Sequence, residues 1–349
     1  MHIVFVFEDF CLGGVERVTE QLITGLLEGY NCRVSIICER KSGELTSRFD
    51  KLAPIYALRD KNALIIFRRL ADELNPDVIL FTKGGLSKYG LFVPKKIKKI
   101  AVQHVPINLP QENYFKNIIR RLGATFIYSQ LDKVVCVSKG ILTNLITLNV
   151  VRKDQALCIY NPVLDKSIEK QAREKVDFDN YFVCVGRLHH QKGYDLLIET
   201  IYEAKKTIND IKVVIVGDGP EHDNLKEKIR SKKLSDNIIL HGSQSNPYKY
   251  IANANAILLT SRWEGLPTVL VEAAFLKTPI IAFDCNYGPR ELTNNGENGH
   301  LIDFMDIGNF ANAILELNKQ QKLPISPNVE PFLLSVATDS YYKLFKSLL

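Results

Sequence analysis

Three turns in this chain pair glycines or a helix start with charged side chains, the arrangement that holds an anion. In the first, Gly13-Gly14-Val15-Glu16-Arg17 follows an apolar run and opens a segment of helical period. Two glycines let the backbone approach a ligand closely, and the free amides and dipole of a helix start attract negative charge. A tight bend without any ligand would use the same residues. In the second, Val185-Gly186-Arg187-Leu188-His189-His190-Gln191-Lys192-Gly193, an arginine follows a strand-end glycine and a lysine stands at the next helix start. Two cations converging there suit a diphosphate. In the third, Glu264-Gly265-Leu266-Pro267-Thr268-Val269-Leu270-Val271-Glu272-Ala273, Pro267 suits a first helical turn, so the amides of Thr268 and Val269 should be free. Glu264 precedes that helix and Glu272 stands inside it among Val, Leu and Ala. A carboxylate on an apolar face needs a partner. Sugar or ribose hydroxyls would serve, and so would an ion pair with Arg262 or Arg290. His189-His190 has no Cys, His or carboxylate spaced to complete a metal site, so none is expected.

These turns need strand ends to carry them. Short apolar runs at 2–7, 32–38, 78–82, 99–104, 133–137 and 157–160, then at 181–185, 212–216, 237–240, 256–259, 279–283 and 300–302, alternate with helical patterns such as 15–27, 193–205 and 221–232. Near-continuous apolar strands alternating with helices mean parallel sheets covered on both faces. Two series of about six strands point to two doubly wound α/β domains, although an eight-stranded barrel shows the same local alternation. The break falls at Asn161-Pro162. This gives an N-terminal domain over 1–162, a C-terminal domain over 163–332, and a last helix at 333–349 that packs back towards the first domain. Ligands of doubly wound sheets sit at the carboxyl ends of the strands, so the cleft between the domains is the expected site.

Composition narrows the class. A chain of 349 residues with 46% hydrophobic and 24% charged residues is globular and long enough for two cores. Its longest apolar runs are strand-sized, and the first residues enter a strand and meet acids at once, unlike a signal peptide. The seven cysteines form no C-x-x-C pair and lie mostly in apolar runs, as in a reduced, cytoplasmic protein. Residues 1–162 carry 23 Lys+Arg against 15 Asp+Glu, while the remainder carries 22 against 24. The basic excess therefore belongs to the first half, at Arg68-Arg69, 95–99 and Arg120-Arg121. No spacing typical of a nucleic-acid binder accompanies it.

The Glu264…Glu272 block, the VGRL…KG turn, the VIVGDGP strand-turn and the N-terminal Gly-Gly turn, in this order and spacing, resemble the GT-B retaining glycosyltransferases of family 4, over nearly the whole chain. The resemblance implies two facing Rossmann-like domains and a nucleotide-sugar donor held mainly by the C-terminal one, with no required metal or cofactor. On that basis Asp177-Phe178-Asp179 is a chance likeness to the metal-binding D-x-D of the other glycosyltransferase fold. Arg187 and Lys192 would bind the donor diphosphate, with Gly13 and the Gly14 amide nearby, and Glu272 would hold the ribose. Glu264, Gly265 and the amides of Leu266, Thr268 and Val269 would face the sugar and phosphates. Pro267 stands where many relatives have an N–H, so one amide contact is missing. Gln244 aligns with the base-contact loop. His104 ends the strand 99–104, where similar enzymes place a histidine on the transferred sugar; a structural histidine would fit there equally.

The resemblance further implies front-face attack by an acceptor hydroxyl, with the leaving phosphate taking its proton. The loop Asp284-Cys285-Asn286-Tyr287-Gly288-Pro289-Arg290-Glu291 resembles that of members using UDP-galactose-type or UDP-N-acetylhexosamine donors for bacterial surface glycans. The expected activity is transfer of a hexose or N-acetylhexosamine to a glycan acceptor, lipid-linked or lipopolysaccharide. The alternatives are a GDP-mannose-dependent enzyme of the same fold and a non-hydrolysing sugar-nucleotide epimerase. A dehydrogenase is excluded because the first turn lacks G-x-G-x-x-G. In 111–123, Tyr114, Phe115, Ile118, Ile119 and Leu122 recur at helical spacing beside Lys116, Arg120 and Arg121. That pattern fits either a helix on an anionic membrane surface, making the enzyme peripheral on the inner face of the cytoplasmic membrane, or a helix packed on the N-terminal sheet.

Overall fold

A strand buried along its whole length has no polar face to show to water, and this forces the architecture. All six residues of β1 (His2–Phe7) are buried, which only a sheet covered on both sides allows. The computed structural model describes residues 1–11, 13–58, 62–109, 112–319 and 328–349; residue 111 of the stretch 111–123, and residues 320–327 of the expected C-terminal domain, lie outside them. The described chain divides into two units, Met1–Val163 with Glu330–Leu349, and Leu164–Val329.

In the first unit, β1 is followed by β2 (Arg33–Cys38), β3 (Ile55–Ala57), β4 (Val78–Phe81), β5 (Lys98–Gln103), β6 (Lys133–Cys136) and β7 (Ala156–Cys158). They form one parallel sheet in the order β3-β2-β1-β4-β5-β6-β7. The helices between them are α1 (Gly14–Tyr30), α2 (Thr46–Leu52), α3 (Ala63–Leu74), α4 (Tyr114–Tyr128) and α5 (Lys139–Thr147). Edge strand β3 was not expected, because its three half-buried to exposed residues make no apolar run. Phe7, Phe10 and Phe49 pack ring to ring at 4.9–5.4 Å and fix the exit of β1.

The second unit has β8 (Phe182–Val185), β9 (Val213–Val216), β10 (Ile238–Gly242), β11 (Ile257–Leu259), β12 (Ile280–Asp284) and β13 (His300–Asp303), again parallel, in the order β10-β9-β8-β11-β12-β13. Its helices are α6 (Ser167–Ala172), α7 (Tyr194–Lys205), α8 (His222–Ser231), α9 (Tyr248–Asn253), α10 (Thr268–Phe275), α11 (Pro289–Leu292) and α12 (Ile307–Lys319). Phe182, Leu197, Phe283 and Phe310 are fully buried in its core. In both units the first strand lies beside the fourth, so the order reverses there, as in Rossmann-like sheets.

The last helix, α13 (Leu334–Leu348), belongs to the first unit. Tyr342 stacks on Tyr30 of α1 at 4.1 Å, and the Tyr30 hydroxyl donates to Asp339 at 2.9 Å.

Candidate active site

In a doubly wound sheet, loops leave opposite ways at the reversal point and open a crevice between them. In the second unit that point lies between β8 and β11, which pair through Val183 and Ile257. Their two following loops hold the second and third turns identified in the sequence.

The loop after β8 is held by backbone. The Leu188 amide donates to the Asp218 carbonyl at 2.9 Å, and the Leu188 carbonyl accepts from the Glu221 amide at 3.1 Å. Gly217, at φ +155°, permits this approach, since a Cβ there would run into the Gly186 carbonyl. Leu188 is buried, and Arg187 beside it is exposed. Among the described residues its guanidinium forms no ion pair. A 3-10 turn over His190–Lys192 then ends at Gly193, which is left-handed at φ 64°. A Cβ at Gly193 would strike the Thr260 carbonyl, so only glycine brings Lys192 this close to the exit of β11.

The loop after β11 carries the acids. Glu264 is 6% exposed. Its Oε1 accepts from Lys192 Nζ at 2.7 Å and from Ser261 Oγ at 2.6 Å, and neither bond uses Oε2. Neither arginine considered from sequence is the partner of Glu264. Arg262 forks onto Asp195 at 2.8 and 2.6 Å and also reaches the His190 carbonyl, while Arg290 pairs with Asp284. The Arg262 guanidinium draws the Asp195 carboxyl below its ordinary value, against the upward pull of burial. Lys192, not an arginine, is the cation on Glu264.

Pro267 also moves: it is the N-cap of α10, at φ −72° and ψ 95°, one position before the first helical residue. The first amide to bond within this helix is that of Leu270, to the Pro267 carbonyl, so the amides of Thr268 and Val269 precede the ladder. Gly265 and Leu266 are buried beneath them. Glu272, half-buried, is one turn after Thr268 on the same face of α10. Arg187, Lys192, Glu264 and the start of α10 thus share one corner. Gln244 does not: it follows edge strand β10, with β9 between it and β8, and its amide donates to the His241 carbonyl at 3.2 Å.

In the first unit, the segments that follow the adjacent strands β1, β4 and β5 carry Gly13-Gly14, Lys83 and His104. Gly13 caps α1 in extended conformation without a side-chain bond. The buried Glu16 carboxylate folds back against it and takes Lys83 Nζ at 2.8 Å. The chain's own anion therefore meets part of the positive end of α1. Burial pulls the Lys83 amine down, but its bond to Glu16 and the charges of Glu16, Glu8 and Asp9 outweigh this and hold it above its ordinary value. His104 is pushed to about 4 by burial, against a hydrogen bond that its ring donates to the Thr82 backbone, with the Lys83 charge adding to the lowering, so its ring is neutral near pH 7. Gln103 brackets it, accepting from the Tyr128 hydroxyl and donating to the Val105 carbonyl, both at 2.5 Å.

Two residues of this geometry escaped the sequence: Lys83 and Ser261. Lys83 stands at a strand end before Gly84-Gly85, the same kind of signal as the other turns. Ser261 had only its position three residues before Glu264.

Comparison with known proteins agrees with this architecture. A model of Glycosyltransferase Family 4 matches residues 12–165, and one of Glycosyl transferases group 1 matches residues 165–327. The amylovoran biosynthesis glycosyltransferase AmsD of Erwinia amylovora is 29% identical over 326 residues, 89% of this chain and 88% of that one. The N-acetylgalactosamine-N,N'-diacetylbacillosaminyl-diphospho-undecaprenol 4-alpha-N-acetylgalactosaminyltransferase of Campylobacter jejuni is 30% identical over 199 residues, 57% of this chain and about half (54%) of that protein. Among solved structures, the Anabaena protein HepE, in complex with UDP and glucose, superposes with a TM-score of 0.82 at 19% identity, covering 99% of this chain and 100% of that one. With these matches on two Rossmann-like units, the chain belongs to the GT-B glycosyltransferases, its first half to family 4 and its second half to group 1.

Proposed function

We propose that the protein is a retaining glycosyltransferase moving a hexose or N-acetylhexosamine from a UDP-sugar to a lipid-linked or lipopolysaccharide glycan in bacterial surface-glycan synthesis. Such an enzyme would work in the cytoplasm, at the inner face of the membrane that holds its acceptor. The observation that carries this proposal is the corner of the second unit, where a buried carboxylate, two cations and an open helix start converge. The nucleotide and sugar of HepE, the undecaprenol-linked name of the Campylobacter relative and the polysaccharide role of AmsD support the donor and acceptor classes.

In this mechanism Arg187, Lys192 and the amides of Gly265, Leu266, Thr268 and Val269 take up the charge of the leaving diphosphate. Glu272 binds the ribose and Gln244 the base. Glu264 holds the sugar through Oε2, because Lys192 and Ser261 already occupy Oε1. Within the first unit taken by itself, the Gly13-Gly14 turn would suit a phosphate oxygen, and neutral His104 a sugar hydroxyl. The acceptor oxygen forms its bond to the anomeric carbon on the face from which the phosphate oxygen leaves. The hydroxyl proton passes to that phosphate. With the diphosphate charge met by side chains and amides, no metal ion has an assigned role.

The test is a panel of UDP- and GDP-sugars with and without a lipid-linked acceptor. UDP release that depends on acceptor, with a glycosylated product of retained configuration, is expected. Acceptor-independent epimerisation, or turnover with GDP-mannose alone, would overturn the proposal.

A further inference from the structure

Helix α4 does not cover the sheet with its apolar stripe. Tyr114, Phe115, Ile119, Leu122 and Phe126 are 77, 75, 69, 62 and 63% exposed, and only Tyr128, its last residue, is buried. The half-buried positions are 117, 118, 124, 125 and 127, on another side of the helix. Phe115, Ile119, Leu122 and Phe126 recur every three or four residues and form one continuous stripe. At about 100° per residue, Lys116 and Arg120 run along one margin of it. The helix contains Lys116, Arg120 and Arg121 and no acid. The neighbouring Glu112 reaches Lys116 at 3.1 Å and Arg120 at 3.9 Å, leaving Arg121 without an ion pair among the described residues. Five large apolar side chains standing in water on one helix mark a docking surface.

We propose that α4 docks the protein on a bilayer containing anionic lipid, its stripe entering the headgroup–acyl boundary and its cations meeting lipid phosphates. Charge selects this occupant. A second copy placed across the same face would set cation against cation, with no acid on the helix to relieve it. Among the described residues no helix is long and apolar enough to cross a membrane. That the membrane also carries the acceptor rests on the proposed function; the docking itself does not.

Co-sedimentation of the full chain with vesicles tests this. Wild type should bind phosphatidylcholine vesicles containing phosphatidylglycerol, release as salt rises, and leave pure phosphatidylcholine vesicles in the supernatant free of protein. Phe115→Ser/Leu122→Ser and Arg120→Glu/Arg121→Glu should each lose about tenfold or more of this partition, with melting temperature and UDP affinity unchanged. The proposal fails if wild type binds neither vesicle or both equally, or if either double variant binds as wild type does. It also fails if wild type is a dimer that Phe115→Ser/Leu122→Ser splits, which would make a second copy the occupant. UDP binding is read separately, so loss of docking and loss of the transferase activity are distinguishable.

Discussion

Lys192 and Glu264, 72 positions apart in the chain, meet at 2.7 Å in the second unit. Because the carboxylate is almost wholly buried, the lysine is part of the fold before any donor arrives. A diphosphate binding there must share a cation that already holds an acid. Arg187, exposed and without an ion pair among the described residues, has no such second duty.

The two cations should therefore separate by stability. Lys192→Ala leaves a buried carboxylate without its cation, Ser261 still bonding it, and should cost about 1–3 kcal/mol of folding free energy. Arg187→Ala should leave stability within about 0.5 kcal/mol of wild type. Chemical denaturation of both variants checks this, and equal stabilities would contradict it.

Ser261 aims Glu264. Ser261→Ala should lower kcat by about fivefold, the worth of one hydrogen bond near 1 kcal/mol, with UDP affinity unchanged and Ser261→Thr restoring activity. Glu264→Gln should lower turnover more than UDP affinity, and Glu272→Ala should do the reverse. Steady-state kinetics with UDP titrations decide it; a Glu272→Ala protein that binds UDP like wild type would end the ribose assignment.

Gly193→Ala should destabilise the second unit by about 1–3 kcal/mol, combining a left-handed backbone with a Cβ driven into the Thr260 carbonyl. Because the same turn sets Lys192 beside Glu264, UDP affinity should fall too. A variant as stable as wild type in urea would show that the turn relaxes freely.

His104 gives a pH dependence of known sign. Its folded value, about 4, lies below the ordinary 6.5, so between those values the unfolded chain binds a proton that the native state refuses. Stability should fall as pH falls through that window. His104→Gln should flatten this part of the melting-temperature profile, and an unchanged slope would mean the ring is not held neutral.

The layered α/β fold was legible because burial on both faces writes an uninterrupted apolar run, as at Ile3–Phe7, with glycine or charge at its end. Edge strand β3 left no such trace. The three glycine turns were legible for the same local reason. Which charges meet was not. The Lys192–Glu264 pair depends on β8 lying beside β11, and Arg262 and Arg290, equally plausible by type, find Asp195 and Asp284 instead. On α4 the periodicity was plain, but a stripe facing the sheet and one facing solvent are written with the same residues, and the structure exposes it.

Calorimetric titration with UDP and GDP is the most direct test of the central claim, that the corner of Arg187, Lys192, Glu264 and the start of α10 binds the donor. Wild type should bind UDP more tightly than GDP, and Arg187→Ala should weaken UDP by about tenfold or more, the worth of one charge-assisted contact at about 1.5–3 kcal/mol. Tighter binding of GDP, or UDP binding to Arg187→Ala and Lys192→Ala as strong as to wild type, would contradict it.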